Sequence, residues 1–417
     1  MIVDSLSCGL MTSRMTASWM TARRLRAQGI ILALCLWSVY VWNLATPGLI
    51  DRGGNLKGTD FLHFYTLGSL AFAHRGADLY NMRAQAELAT QRIPAAAGIR
   101  YLPLYPPQVS IFFAPFARLS YSAALVLWLV LSALVYGLCC YSVWRACPNL
   151  RHHGLTVSIV ALAFPAFWHL IAWGQTSALA LIFFVFAFFA LRAQREFLAG
   201  LAFGCLIFKP QLGLAAAIIF LITLRWKIIL GALLAGAAEL SAAWLYYGLG
   251  PLRDWSRLLL NVPHLLPLLE PKPYQTHCLR TFWTMLIPWP SVSFALYVIS
   301  ALLVAGLTIA CWRSRLPLSL RYSALLLSTV LLAPHLTVYD LVILAPALLL
   351  LSDWLLTSTG DSDPLLKLLL YLAFVLPLLG PLARWTHFQI SVPVIAALLY
   401  GMWTTGRKSL SIASQLD

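Results

Sequence analysis

Acids are scarce in this chain: 14 Asp and Glu among 417 residues, and charged residues of either sign make up only 10% of it. A soluble domain carries about 25% charged residues, so a soluble globular fold is excluded. Also missing are a Gly-rich phosphate loop, a Ser nucleophile motif, and the CxxC and HExxH patterns. Their absence argues against a nucleotide-binding domain, and no cofactor or metal site is expected. The eight cysteines, Cys8 and Cys35 through Cys311, show neither metal spacing nor a disulfide framework. They read as small hydrophobes filling a helix bundle. There is no internal repeat, low-complexity segment or linker to a separate soluble domain.

What is present is apolar: 61% of the residues are hydrophobic. In lipid every backbone polar group must be satisfied within the structure, which leaves helices. The apolar runs are too long and continuous for a transmembrane barrel. The fold class is an all-α integral membrane protein, one domain over residues 1–417. The net charge of +15 would suggest nucleic acid in a soluble protein. Here the basic residues lie between apolar runs, so they read as topology determinants and contacts to membrane lipids, with no nucleic-acid partner. A basic chain also suits an anionic substrate such as a lipid phosphate.

A basic segment (Arg14, Arg23, Arg24, Arg26) precedes an apolar run over about residues 30–50, long enough to span as a retained signal-anchor. The positive flank puts the N-terminus in the cytoplasm of a multi-pass inner-membrane protein. Residues 51–107 form the first outer loop, with two amphipathic surface helices, one of them over Met82 to Ile93. Val109 to Leu119 is too short for an ordinary span and reads as short or re-entrant. Further spans fall roughly at 121–144, 155–172, 177–191, 198–208, 211–224, 228–248, 290–312, 317–333, 338–355, 365–382 and 388–405, or about 11–13 in all with the first. Basic clusters at Arg145/Arg151, Arg192/Arg195, Arg225/Lys227, Arg313/Arg315 and Arg407/Lys408 mark cytoplasmic turns. If 109–119 does not cross, the unusual polar motifs all fall on the outer face with Asp60. A second outer loop over 249–289, aromatic and proline-rich, could roof a cavity.

Four constellations then carry chemistry. Asp60 is an acid beside a membrane, where an unpaired charge is costly; either Thr59 or Asp60 could instead simply cap the helical segment that follows. Lys209-Pro210-Gln211 interrupts an apolar stretch. A lysine there costs about 2.5–3.5 kcal/mol on insertion scales, so it reads as a phosphate-binding cation at a helix break, or as a snorkelling side chain. Gly174-Gln175-Thr176-Ser177 reads as a polar hairpin whose amide could bond a sugar hydroxyl, or as an ordinary glycine turn. Pro334-His335 to Tyr339-Asp340 can bind phosphate or position a base, or can be a capped helix start. His335 and Tyr339 would share a face if that segment is helical.

These motifs, taken in order, resemble glycosyltransferase family 87: Asp60-Phe61 with Tyr65, Asp78-Leu79-Tyr80, Tyr105-Pro106-Pro107 with Pro115 and Trp128, Gly174-Gln175, Ala199-Gly200 with Lys209-Pro210, and His335 with Tyr339-Asp340-Leu341. The resemblance covers roughly residues 58–345. It implies a GT-C membrane fold and transfer of a sugar, often mannose, from a polyprenyl-phosphate donor to a lipid or cell-envelope glycan acceptor on the extracytoplasmic (periplasmic) face. It makes Asp60 the catalytic base. Some GT-C enzymes add a divalent metal, but no paired-acid motif stands at Asp60. Lys209, His335 and Arg280 are then expected at the donor phosphate, and Tyr65, Tyr80, Tyr105, Gln175, Gln211, Tyr339 and Asp340 around the substrates. Two other classes remain: a transporter or flippase of lipid-linked or anionic substrates, and a non-catalytic assembly subunit.

Overall fold

A computed structural model describes residues 21–357 and 364–416. Among them the chain is helical, with a single isolated antiparallel bridge, Ile50 to Leu56. Six helices are long and apolar enough to cross a membrane: Ala22–Leu44, Tyr121–Arg145, Trp226–Tyr247, Pro290–Arg313, Val338–Thr357 and Pro364–Thr386. Arg151–Leu162 and Pro165–Trp173 pass together as one span bent by 47°. The break falls at Pro165, which lacks an amide hydrogen and crowds the preceding turn. Four shorter apolar helices, Ser177–Arg192, Glu196–Phe208, Pro210–Ile222 and Leu318–Leu332, account for other expected runs. The last expected run lies in Ser391–Leu416. The protein is therefore an all-α polytopic membrane protein.

Two compact units form, and each is described by itself: Val39–Tyr136 with His169–Thr276, and the described parts of Met1–Ser38, Gly137–Trp168 and His277–Asp417. The first, the loop unit, is built on the helix Thr59–Phe72, which is buried continuously from Phe61 to Ala71. Fourteen residues, mostly apolar with a polar stripe at Asp60, His63, Thr66 and Ser69, are too few to span but suit a core helix. The segment 109–119 is a six-residue helix, Gln108–Phe113, running into a 3-10 turn, Ala114–Arg118, and does not itself have the length to cross. Its aromatics pack on the buried helix: Phe61 lies 6.4 Å from Phe113 and 6.1 Å from Phe116, and stacks on Trp128 at 6.3 Å. Met82–Arg92 is the more exposed helix of the loop, capped by Asn81, whose side chain accepts from the amides of Arg83 and Ala84.

Elsewhere in this unit Glu196–Gly204 crosses Trp226–Tyr247 with backbones in contact. A Cβ on Gly200 would sit 2.2 Å from the Ile228 carbonyl oxygen, and one on Gly204 2.3 Å from that of Ala232. Small residues at such a crossing are the usual means of tight helix association in lipid. Residues 249–289, expected as a loop, contain the 20-residue helix Gly250–Leu269 in this unit and the short helix Leu279–Leu286, which belongs to the second unit. Trp255 Nε1 ties the longer one to the Leu104 carbonyl at 3.1 Å.

The second, the terminal unit, has Leu318–Leu332 as its core, with every residue from Tyr322 to Leu332 buried. Asp353 anchors the Asn149–Leu150 turn by accepting from both amides, at 2.8 and 3.1 Å.

Candidate active site

Asp60 stands in the first turn of Thr59–Phe72, but neither it nor Thr59 caps that helix. The N-cap is Gly58, in the left-handed region at φ 64° and without a side-chain capping bond. Thr59 Oγ1 donates instead to the Leu56 carbonyl at 2.7 Å. The carboxylate of Asp60 is free of that duty, and its Oδ2 accepts from Gln175 Nε2 at 2.7 Å. A negative charge is favoured at this end of a helix by the aligned peptide dipoles. Two phenols hold the approach to the acid. Tyr121 donates to the carbonyls of Lys57 and Gly58, at 2.7 and 2.9 Å. Tyr101 donates to that of Thr59. Burial, and after it the nearby Asp60 charge, push the Tyr101 phenol above the ordinary tyrosine range.

Gln175 reaches Asp60 because of the residue before it. Gly174 has φ 70°, and a Cβ there would meet Phe61 Cβ at 2.8 Å, so only glycine lets the hairpin approach this closely. Trp128 Nε1 fixes the Gly174 carbonyl at 3.0 Å. The amide group of Gln175 is oriented by its own neighbour: Oε1 accepts from the Thr176 amide at 3.2 Å, leaving Nε2 to point at the acid. Two residues on, Ser177 Oγ accepts from Lys209 Nζ at 3.0 Å. Ser177 is wholly buried and Lys209 is 3% exposed. Lys209 occupies the N-cap position of Pro210–Ile222, after the 3-10 turn Cys205–Phe208, with Pro210 at the first helical position. A lysine this deep is tolerated only when hydrogen-bonded and electrically compensated, and snorkelling to an interface does not describe it. Asp60, the Gly174–Ser177 hairpin and Lys209 are thus linked through named bonds.

One further residue belongs beside them. His63 lies one turn after Asp60, is buried, and neither ring nitrogen has a hydrogen-bond partner. Its ring packs 4.9 Å from Tyr101 and 5.7 Å from Tyr105. Burial lowers its pKa to about 3, so it is neutral. Its i, i+3 spacing from Asp60 was the available signal, because that spacing places two side chains on one helix face.

The other expected residues fall as follows. Tyr65 donates to the Leu119 carbonyl at 2.8 Å and Tyr80 to that of Tyr105 at 3.0 Å, while the Tyr105 ring lies 4.9 Å from Phe64. Gln211 is half-buried beside Pro210. In the terminal unit, Arg280 donates to the Pro334 carbonyl, next to His335, and to Thr281 Oγ1 at 3.2 Å. His277 adds a backbone bond to Leu336 at 2.9 Å, and its Nδ1 lies 2.7 Å from Ser391 Oγ. Asp340 forms a capping box with Thr337: its Oδ2 accepts from the Thr337 amide and hydroxyl, at 3.3 and 3.1 Å. His335 precedes the 3-10 segment Val338–Leu344, so it and Tyr339 do not share one helical face. Among the described residues no three His, Cys, Asp or Glu are grouped so as to hold a metal ion.

The sequence model of glycosyltransferase family 87 matches residues 104–334. The chain belongs to glycosyltransferase family 87. It is a membrane glycosyltransferase, with a sugar donor and an acceptor as substrates. The match takes in Tyr105, Gln175, Lys209, Gln211 and Arg280 and ends one residue before His335. Asp60 lies ahead of it, and its bond to Gln175 is seen in the structure alone. No curated protein and no solved structure matches the chain.

Proposed function

We propose that this family 87 glycosyltransferase moves a hexose, with mannose the sugar its family resemblance implies, from a polyprenyl-phosphate donor to a lipid or cell-envelope glycan acceptor. The reaction takes place on the outer face of the cytoplasmic membrane, with the N-terminus inside. Asp60 is the base. Its carboxylate takes the proton of the acceptor hydroxyl as that oxygen attacks the anomeric carbon. The bond from that carbon to the phosphate oxygen breaks, its electron pair leaves on the polyprenyl phosphate, and the anomeric centre inverts in a single displacement. Gln175 holds the carboxylate in place. Lys209, the buried cation of the same unit, offsets the charge that develops on the leaving phosphate. His63, neutral and with open ring nitrogens, offers a hydroxyl of either sugar a donor and an acceptor.

The observation that carries this reading is the bond from Gln175 to an acid that is not spent on capping its own helix. The test is transfer by the purified protein in detergent, using radiolabelled polyprenyl-phosphate sugars and a panel of membrane-lipid acceptors. Asp60→Asn is expected to insert and fold but to lose transfer by roughly 10²- to 10⁴-fold. Normal turnover by that variant removes Asp60 from the mechanism. Movement of label across vesicles without a new glycosidic bond would restore the transporter reading.

A further inference from the structure

The loop unit holds a cavity of about 480 Å³, one wall of which is Tyr121, the phenol that also holds the approach to Asp60. Its walls include Arg92, Arg118, Ser120, Ser122, Tyr65 and Leu49, and Asp60 is not among them. Its volume is within the usual span of roughly 300–1,000 Å³ for a small-molecule site. No wall residue is acidic. The bonds of Arg92 all go to uncharged oxygens: Ser69 Oγ at 2.7 Å, the Ala117 carbonyl at 3.2 Å and Tyr65 OH at 3.4 Å, all from one terminal nitrogen. Arg118 lies over the Phe72 ring at 5.3 Å. Among the described residues neither guanidinium is in an ion pair. Both arginines are exposed and line the same hollow, so an anion entering it meets two cations. Guanidinium forks match phosphate oxygens in pairs, and the two serine hydroxyls add donors.

The cavity's place in the chain says where such an anion comes from. Leu49 follows the apolar helix Ala22–Leu44, and Ser120 and Ser122 flank the first residue of the span Tyr121–Arg145. These are the ends of membrane-crossing segments, the level at which lipid headgroups lie. We infer that this cleft binds a phosphate group, carried by an anionic phospholipid headgroup or free in solution, through Arg92 and Arg118. On this inference the ligand is a third group, additional to the two that react at Asp60.

Native mass spectrometry of the full-length protein released from detergent reads this directly, with phosphatidylglycerol, diacylglycerol and inorganic phosphate as probes. Phosphatidylglycerol is expected to remain bound where diacylglycerol, which lacks the phosphate, does not. Arg118→Gln, at an exposed position, should weaken that adduct roughly ten- to a hundredfold. Arg92→Lys, which keeps the charge and loses the fork, should weaken it less. Inorganic phosphate that competes the lipid off, with the same dependence on Arg118, makes free phosphate an occupant of the same cleft. Equal retention of diacylglycerol, or undiminished phosphatidylglycerol adducts in both variants at unchanged melting temperature, overturns the inference. The readout is binding, so it stands or fails separately from the role of Asp60 in turnover.

Discussion

Asp60 and Asp340 each stand in the first turn of a helical segment with a threonine close before them. In the terminal unit, Thr337 and Asp340 close a capping box, and the carboxylate serves its own backbone. In the loop unit the capping position has passed to Gly58, and the carboxylate is met by an amide 115 residues away. The same local grammar therefore gives a carboxylate that closes its own cap in one place and one held by a distant side chain in the other. The difference lies in where the left-handed residue falls.

The contrast is broken most directly at Asp60. Asp60→Asn is expected to cut transfer by roughly 10²- to 10⁴-fold, the usual contribution of a general base, measured as radiolabelled product at matched protein insertion. Gln175→Ala should cost roughly ten- to a hundredfold, because a hydrogen bond to a charged group is worth about 1.5–3 kcal/mol. A change confined to the donor KM would instead make Gln175 a binding residue. Gly174→Ala should destabilise the loop unit by about 1–3 kcal/mol, since the position needs φ 70° and has no room beside Phe61; thermal melting in detergent checks it.

A pH titration sharpens the comparison further. His63 has its pKa lowered to about 3 by burial, below the unfolded value of 6.5. The unfolded chain therefore binds the extra proton first. Stability should fall as pH drops from 6.5 toward 3, by at most about 1.4 kcal/mol per pH unit. His63→Phe should flatten that slope. The smallest effect is expected at Asp340→Asn, about 1 kcal/mol of stability for a weakened cap, with transfer little changed at a temperature where the variant is folded. A loss of turnover there as large as at Asp60, without a change in melting temperature, would erase the distinction between the two acids.

Much of the architecture was legible in the residues, because long apolar runs in a chain with few acids leave helices as the main solution. What escaped was set by contacts far apart in sequence. Thr59–Phe72 is apolar enough to lie in a core but too short to announce a span, and its burial depends on aromatics from Phe113, Phe116 and Trp128. Gly250–Leu269 was read as a loop because Pro263 and Pro267 lie inside it, yet helix persists across both. The polar islands at Asp60, Gln175 and Lys209 were visible as anomalies in an oily sequence. That Gln175 turns its nitrogen to Asp60, and that Lys209 lies on Ser177, required the fold. His63, three residues after Asp60, is given no role by the sequence, since nothing local tells a buried imidazole that lacks partners from one that has them.

The crossing of Glu196–Gly204 with Trp226–Tyr247 has a consequence for the lysine that follows it. Where glycines let one main chain lie against the carbonyls of another, there is little side chain to flex and little gap for an acyl chain to enter. That crossing ends at the turn leading into Lys209, so the ammonium hangs from a rigid strut, and a single methyl group at Gly200 or Gly204 would register as a displaced charge.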